Sequence, residues 1–273
     1  MTDFTNILLT GGAGFIGSHV AEALLRGGAR LTIVDNLDPF YSPLRKNKNL
    51  EEIRTVGPFQ FHEVDICQLE EFRAIVKAVQ PGVIIHLAAL AGVRPSIEQP
   101  LRYAHVNCIG TLNILELCRE FGIPRLVFGS SSSVYGETNH VPFSEDDPVL
   151  KPISPYAATK LAAEMTCYTY ARLFNIQMIC LRFFTVYGPR QRPDLAIHKF
   201  TSLLEADSPI PVFGDWSSGR DYTHVDDIVA GLCRKGGGAD CTKSRNRGCN
   251  SALACSTVAP GFIRPNEVNC HQA

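Results

Sequence analysis

The stretch FGSSSSVYGE, residues 128–137, sets four serines between an apolar run, PRLVF, and an aromatic residue followed by glycine. Serine clusters between periodic segments are most often loops, so the hydroxyls gain chemical meaning only from what surrounds them. A second stretch, SPYAATK, spaces Tyr156 and Lys160 four residues apart, which puts both on one face of a helix. A phenol titrates near 10 and is a poor base at neutral pH. An ammonium beside it favours the phenolate, and that makes the pair a candidate for proton transfer.

A third stretch, LLTGGAGFIGSHVAEALL, places Gly11, Gly14 and Gly17 at the turn from a strand into a helix. Such a turn must be tight, must let backbone approach a pyrophosphate and must pack helix on strand, and each demand favours a residue without Cβ. The helix N-terminus offers unpaired N–H groups to phosphates. Asp35, at the end of the next strand, stands where a carboxylate holds the adenosine ribose hydroxyls. Its charge repels a 2′-phosphate, so the expected cofactor is NAD rather than NADP.

These residues need a frame to bring them together. Short β-rich runs alternate with helical patterns: NILLT then GFIGSHVAEALLRGG, RLTIVD then a polar stretch, FQFHEVD then LEEFRAIVKAV, and GVIIHLAA then a long helix near residues 97–121. RLVFGS, a loop, a helix from about Tyr156 and the strand QMICLRFF follow. Strands separated by helices of this length form βαβ units, so the fold class is α/β, a doubly wound parallel sheet of the Rossmann type. From Gly188 the texture changes to prolines, a helix around 195–206, a short strand IPVFG and RDYTHVDDIVAGLCRK, in which Asp226 and Asp227 open a helix as caps. The division expected is residues 1–187 for the nucleotide-binding domain and 188–235 for a smaller, incomplete C-terminal substrate lobe. Residues 236–273 form an atypical tail with no sustained helical or strand period, expected to be poorly ordered.

At 273 residues and a formal net charge of −1, the chain has the balance of an ordinary globular protein, with no basic excess to suit nucleic acid. No run approaches the length of a membrane span, and the N-terminus lacks the pattern of a signal peptide. The ten cysteines show no CxxC or Cys/His ligand spacing, which reads as free thiols in a reducing, cytoplasmic setting with no structural metal.

The glycine spacing is G-x-x-G-x-x-G. With Val64–Asp65, HLAA at His86–Ala89, Asn107 and the Tyr156/Lys160 pair following in order, the chain resembles the extended short-chain dehydrogenase/reductases over residues 5 to about 235. Within them it is similar to NAD-dependent nucleotide-sugar epimerases, UDP-glucuronate 4-epimerases in particular. The resemblance implies that Gly11, Gly14, Phe15, Ile16, Gly17, Asp35 and Asn36 hold NAD. It puts Asp65 and Ile66 at the adenine and Leu87, Ala88, Ala89 and Asn107 along the cofactor, with Lys160 and Tyr156 at the nicotinamide ribose. Counting back from Val134, it makes Ser131 the hydroxyl that meets the reacting sugar oxygen and Ser132 a helper. Dehydratases of this kind carry an Asp-Glu pair just after that serine, and decarboxylases tend to carry Glu before the valine; here those places are Ser132 and Ser133. Epimerisation at C4 is the chemistry left.

By the same resemblance Thr185 and Arg192 face the C6 substituent, where a guanidinium suits a carboxylate. Arg94 sits at the mouth, Phe213 packs near the uracil, and Arg220 contacts the diphosphate. The implied activity is conversion of UDP-glucuronate to UDP-galacturonate by oxidation to a 4-keto sugar and re-reduction on the opposite face. UDP-glucose 4-epimerisation is the alternative, and an inactive, truncated NAD-binding relative a second one, since residues 236–273 do not resemble the family. The resemblance also implies a homodimer, paired through the helices containing residues 97–121 and 156–173.

Overall fold

The computed structural model describes residues 5–137, 142–147, 151–211, 221–236 and 253–258. The first half runs β1 (Asn6–Thr10), α1 (Phe15–Arg26), β2 (Arg30–Val34), α2 (Pro43–Val56), β3 (Gln60–His62), α3 (Leu69–Val79) and β4 (Val83–His86). Then come α4 (Val93–Glu98), α5 (Pro100–Ala104), a π turn (His105–Ile109), α6 (Gly110–Phe121), β5 (Arg125–Ser131) and a short 3-10 turn (Ser132–Tyr135). The chain continues with α7 (Pro155–Phe174), β6 (Gln177–Phe183), β7 (Thr185–Tyr187), α8 (Ala196–Glu205), β8 (Tyr222–His224), α9 (Val225–Gly236) and β9 (Leu253–Val258).

The main sheet has seven strands in the order β3-β2-β1-β4-β5-β6-β9. Every pair from β3 to β6 is parallel, with Leu9 opposite Ile33 on one side and Ile85 on the other. Alternating side chains sort to two faces, as period two demands. Ile7, Leu9, Ile33, Val83 and Ile85 pack with α1, α2 and α9, whereas Leu8, Val34, Ile84, Leu126 and Phe128 pack with α3, α6 and α7. Strand order reverses between β1 and β4, and at such a switch point a crevice opens beyond the carboxyl ends of the strands.

The fold departs from the sequence pattern in four places. The polar stretch after β2 folds as α2, whose buried face holds only Lys46, Asn49, Leu50 and Ile53, too few apolar residues to show a helical period. The single helix near 97–121 is divided at Gln99, because Pro100 cannot donate to the preceding turn and starts α5 instead. Val225–Gly236, assigned to the smaller lobe, packs as α9 on the main sheet: Val225, Ile228, Leu232 and Cys233 join the cluster that buries α1. Within the tail read as lacking period, Leu253–Val258 pairs antiparallel with β6, whose outer edge offers unpaired backbone groups to any extended segment. Part of the strand read at Ile210–Gly214 lies outside the described residues, as do Phe213 and Arg220.

Candidate active site

Beyond the ends of β1, β2, β4, β5 and β6 lies a cavity of about 450 Å³. The residues expected around a cofactor line it together: Gly11, Gly14, Phe15, Ile16, Gly17, Asp35, Asn36, Asp65, Ile66, Leu87, Ala88, Ala89 and Lys160. So do Ser131, Ser132, Tyr156, Thr185 and Arg192. Asn107 and Arg94 are not in the wall. Asn107 braces it from behind, its amide exchanging hydrogen bonds with Leu90 N and O at 2.9 and 3.0 Å and donating to Thr159 at 3.1 Å. Arg94 stands exposed on α4, one residue past the wall residues Gly92 and Val93.

At the glycine turn the space is set by what is missing. Gly11 adopts φ +73°, and a Cβ there would lie 2.6 Å from Ala88 N. A Cβ on Gly17 would lie 2.1 Å from Gly11 O, so α1 can close on the turn only with glycine. Asp35 Oδ2 accepts from Ala13 N at 3.1 Å and Oδ1 from Leu37 N at 2.9 Å. Lys46, which the sequence reading passed over because α2 shows no pattern, brings Nζ to 3.2 Å from Asp35 Oδ1. Behind the wall a buried chain of hydrogen bonds runs from Ala88 N to Thr10 Oγ1 at 3.3 Å, Thr10 to His86 Nδ1 at 2.8 Å and His86 Nε2 to Thr111 Oγ1 at 3.0 Å. Thr111 spends its proton on Asn107 O at 2.6 Å, so it must accept from His86, which is therefore the neutral Nε2–H tautomer. Burial, and next the charge of Lys160, push His86 down to about 3. These residues fit NAD: the glycine cradle is a space that any Cβ would fill, and a helix N-terminus faces it.

The chemistry sits across the cavity. β5 ends at Ser131, whose oxygen accepts from Ser133 N at 3.2 Å and Ser133 Oγ at 2.9 Å, leaving its own proton to donate elsewhere. α7 starts on Ser154, whose side chain caps Ala157 N at 3.1 Å, with Pro155 in the first turn, so Tyr156 enters at a fixed point. Burial holds the Tyr156 phenol above its ordinary value, while the Ser131 hydroxyl and then the Arg192 charge pull it down. The four-residue spacing predicts Lys160 as the source of that pull. Here the Lys160 ammonium runs instead to Gly129 O at 2.8 Å, over the Phe128 ring at 4.8 Å, and the cation acting on the phenol is Arg192.

Arg192 stacks on Phe40 at 5.1 Å and forks onto Asp194, Nε to Oδ1 at 2.9 Å and Nη2 to Oδ2 at 2.6 Å. The segment carrying it is pinned by Arg190, which has φ +63° and pairs with Glu22 on α1 and with Glu52 on α2 at 2.6 Å. Asp194 lies only two residues past Arg192, with nothing local to mark it as the partner, and the pinning is not visible in the sequence because Glu22 and Glu52 come from helices far back in the chain.

An open, mostly parallel sheet with a glycine cradle at its switch point defines a dinucleotide-binding site, and Ser131, Tyr156 and Lys160 stand across the same cavity. Residues 7–235 match the NAD dependent epimerase/dehydratase family, and the chain belongs to it; its cofactor is NAD. It is 44% identical over 224 residues to a UDP-glucuronate 4-epimerase of Thermodesulfobacterium geofontis, spanning 82% of this chain and 69% of that one. Among solved structures, the UDP-glucuronic acid 4-epimerase of Bacillus cereus in complex with UDP-glucuronic acid and NAD superposes with a TM-score of 0.77 at 37% identity, over 83% of this chain and 71% of that one. UDP-glucose 4-epimerase of Thermotoga maritima with UDP-glucose gives 0.75 at 36%, over 82% and 71%.

Proposed function

We propose that the protein is an NAD-dependent 4-epimerase that interconverts UDP-glucuronate and UDP-galacturonate. The observation that carries the choice of sugar is Arg192: its guanidinium lines the cavity beside Ser131, Tyr156 and Thr185, and it already holds a carboxylate, that of Asp194, in a two-bond fork. Asp194 engages the Nε/Nη2 edge. A C6 carboxylate would take the other edge of the same group, with Thr185 beside it. The relatives named for UDP-glucuronate support this reading. UDP-glucose is the second reading, favoured by the fact that Asp194 already balances the Arg192 charge.

In this reading Ser131 holds the sugar's C4 oxygen and Tyr156 takes its proton, then returns it after the 4-keto sugar has turned over in the cavity. NAD, when bound, accepts the C4 hydride and gives it back. Lys160 keeps a positive charge beneath the site and holds the end of β5. The absence of a carboxylate at Ser132 and Ser133 argues against elimination of water. The nucleotide is assigned to Phe213 and Arg220 by resemblance. Free thiols at Cys67, Cys108, Cys118, Cys167, Cys180 and Cys233 suit a reducing cytoplasm. Exposed Ile97, Leu101, Met165 and Leu173, at 63, 85, 50 and 61% of full exposure, suit pairing of two copies along α4, α5 and α7.

The test is to incubate the purified protein with UDP-glucuronate and no added NAD and to follow the anomeric region by NMR. UDP-galacturonate should appear, and in D₂O its sugar carbons should stay unlabelled, because the hydride never leaves the site. Deuterium at C5, or release of CO₂, would replace the epimerase with a dehydratase or a decarboxylase.

A further inference from the structure

Three consecutive residues at the end of β5 are each gripped by α7. Ser131 meets Tyr156, Gly129 O accepts from Lys160 at 2.8 Å, and Ser130 Oγ donates to Glu164 Oε1. Tyr156, Lys160 and Glu164 are spaced at i, i+4 and i+8, so one helical stripe carries all three. Glu164 and Arg182 are 3% and 4% exposed. The two form a fork between α7 and β6: Arg182 Nε donates to Oε1 at 3.1 Å and Nη2 to Oε2 at 2.9 Å. The guanidinium also stacks on Tyr135 at 4.8 Å, just past the serines.

A buried ion pair contributes little net stability and is often replaceable by apolar residues, so its presence directly behind a reactive set calls for another reason. We infer that Glu164 is a positioning residue for the Ser131–Tyr156–Lys160 set, fixing the end of β5 against α7 and supplying negative charge one turn below the Lys160 ammonium. The inference rests on the reading of those three residues as the reactive set.

Charges around Lys160 support it. Facing it are Glu164 and Cys167 on α7, Cys108 on the π turn, His86 on β4 and Cys180 on β6. His86 is neutral, and burial pushes the Cys108 thiol up, while Cys167 as hydrogen-bond partner, and then burial, push up Cys180. Among these groups Glu164 is the carboxyl side chain, and the Arg182 guanidinium forks onto its far side. Burial pulls Lys160 down to about 8, and the Glu164 carboxylate is the first of the groups opposing that pull.

The test compares Glu164→Gln with the parent protein. The amide keeps the shape and one acceptor but removes the charge. Turnover of UDP-glucuronate should fall about tenfold or more with little change in KM, and the alkaline limb of the pH profile should move down by about one unit. The Lys160 Nζ resonance, followed by NMR in ¹⁵N-lysine protein, should titrate lower by the same amount, and Glu164→Asp should restore most of that shift. Coincident Lys160 titrations and pH limbs in parent and folded Glu164→Gln protein would overturn the inference. If Glu164→Gln does not fold, the paired variant Glu164→Gln/Arg182→Met, which leaves no unpaired charge, takes its place and is compared with Arg182→Met alone, so that the two differ only in the charge at position 164; coincident Lys160 titrations in those two would equally overturn the proposal. If the parent protein does not epimerise UDP-glucuronate, the proposed substrate fails, and the Lys160 titration still decides the role of Glu164.

Discussion

At the glycine turn the cavity wall is backbone, whereas at Ser131, Tyr156 and Arg192 it is side chain held in place by other side chains. The first end works by exclusion of atoms: Gly11 and Gly17 leave room that no Cβ could share with the neighbouring carbonyl and amide. The second works by addition of partners, with Ser131 loaded by Ser133, Lys160 by Gly129 and Arg192 by Asp194. A backbone cradle recognises what nucleotide cofactors share, their phosphates. A lattice of side chains can be retuned one group at a time, which is where sugars and reactions diverge. The two ends should therefore fail differently, the cradle through loss of binding and of fold, the lattice through loss of rate with the fold intact.

The largest effect expected is at the lattice end. Tyr156→Phe removes the proton carrier and keeps the ring, so kcat should fall by roughly 10³-fold, within the range for a positioned acid–base group. Retention of NAD through gel filtration should be unchanged. Ordinary turnover would show that the proton travels by another group and would erase the contrast.

Gly17→Ala probes the other end. Its methyl carbon would stand 2.1 Å from Gly11 O, a backbone atom that cannot step aside without moving the turn. The variant should lose about 3 kcal/mol, the upper part of the range for overpacking, and should elute without NAD. A urea midpoint and an NAD content equal to the parent's would show the turn to be plastic.

Arg192→Ala should lower kcat/KM for UDP-glucuronate by about 10- to 100-fold, as fits loss of a charge-assisted fork, and should change UDP-glucose turnover far less. Equal losses with both sugars would make Arg192 a partner of Tyr156 alone and favour the neutral sugar.

The smallest effect concerns the join behind the cradle. Neutral His86 accepts from Thr10 and donates to Thr111, and its folded value of about 3 lies below the ordinary 6.5. Below about 6.5 the unfolded chain therefore binds a proton that the folded one refuses. Stability should fall as pH falls through this window, by up to about 1.4 kcal/mol per unit, until the folded group itself titrates. His86→Asn, read by urea unfolding at about pH 6 and about pH 4, should show a shallower loss than the parent. Parallel slopes would mean that His86 charges without opening its site.

The glycine spacing, the alternation of strand and helix, the Tyr156/Lys160 interval and the position of Ser131 before Val134 are all local. Each is written within about a dozen residues, because turn sterics and side-chain period act over that distance, and the structure gathers these residues into one cavity. What the tertiary structure decided is who stands beside them. Lys46 reaches Asp35 from a helix with almost no apolar face, and Glu164 meets Arg182 across a separation of 18 residues. Asn107, which reads as a cofactor contact, proves to brace Leu90, and α9 belongs to the layer of α1 rather than to a separate lobe. Parallel strands are joined by crossovers, so neighbours in the sheet are far apart in the chain, and a side chain's partner is set by the order in which the strands assemble. The residue types that could do chemistry were therefore readable one by one, while the charge that each would feel waited on the packing of helices against the sheet.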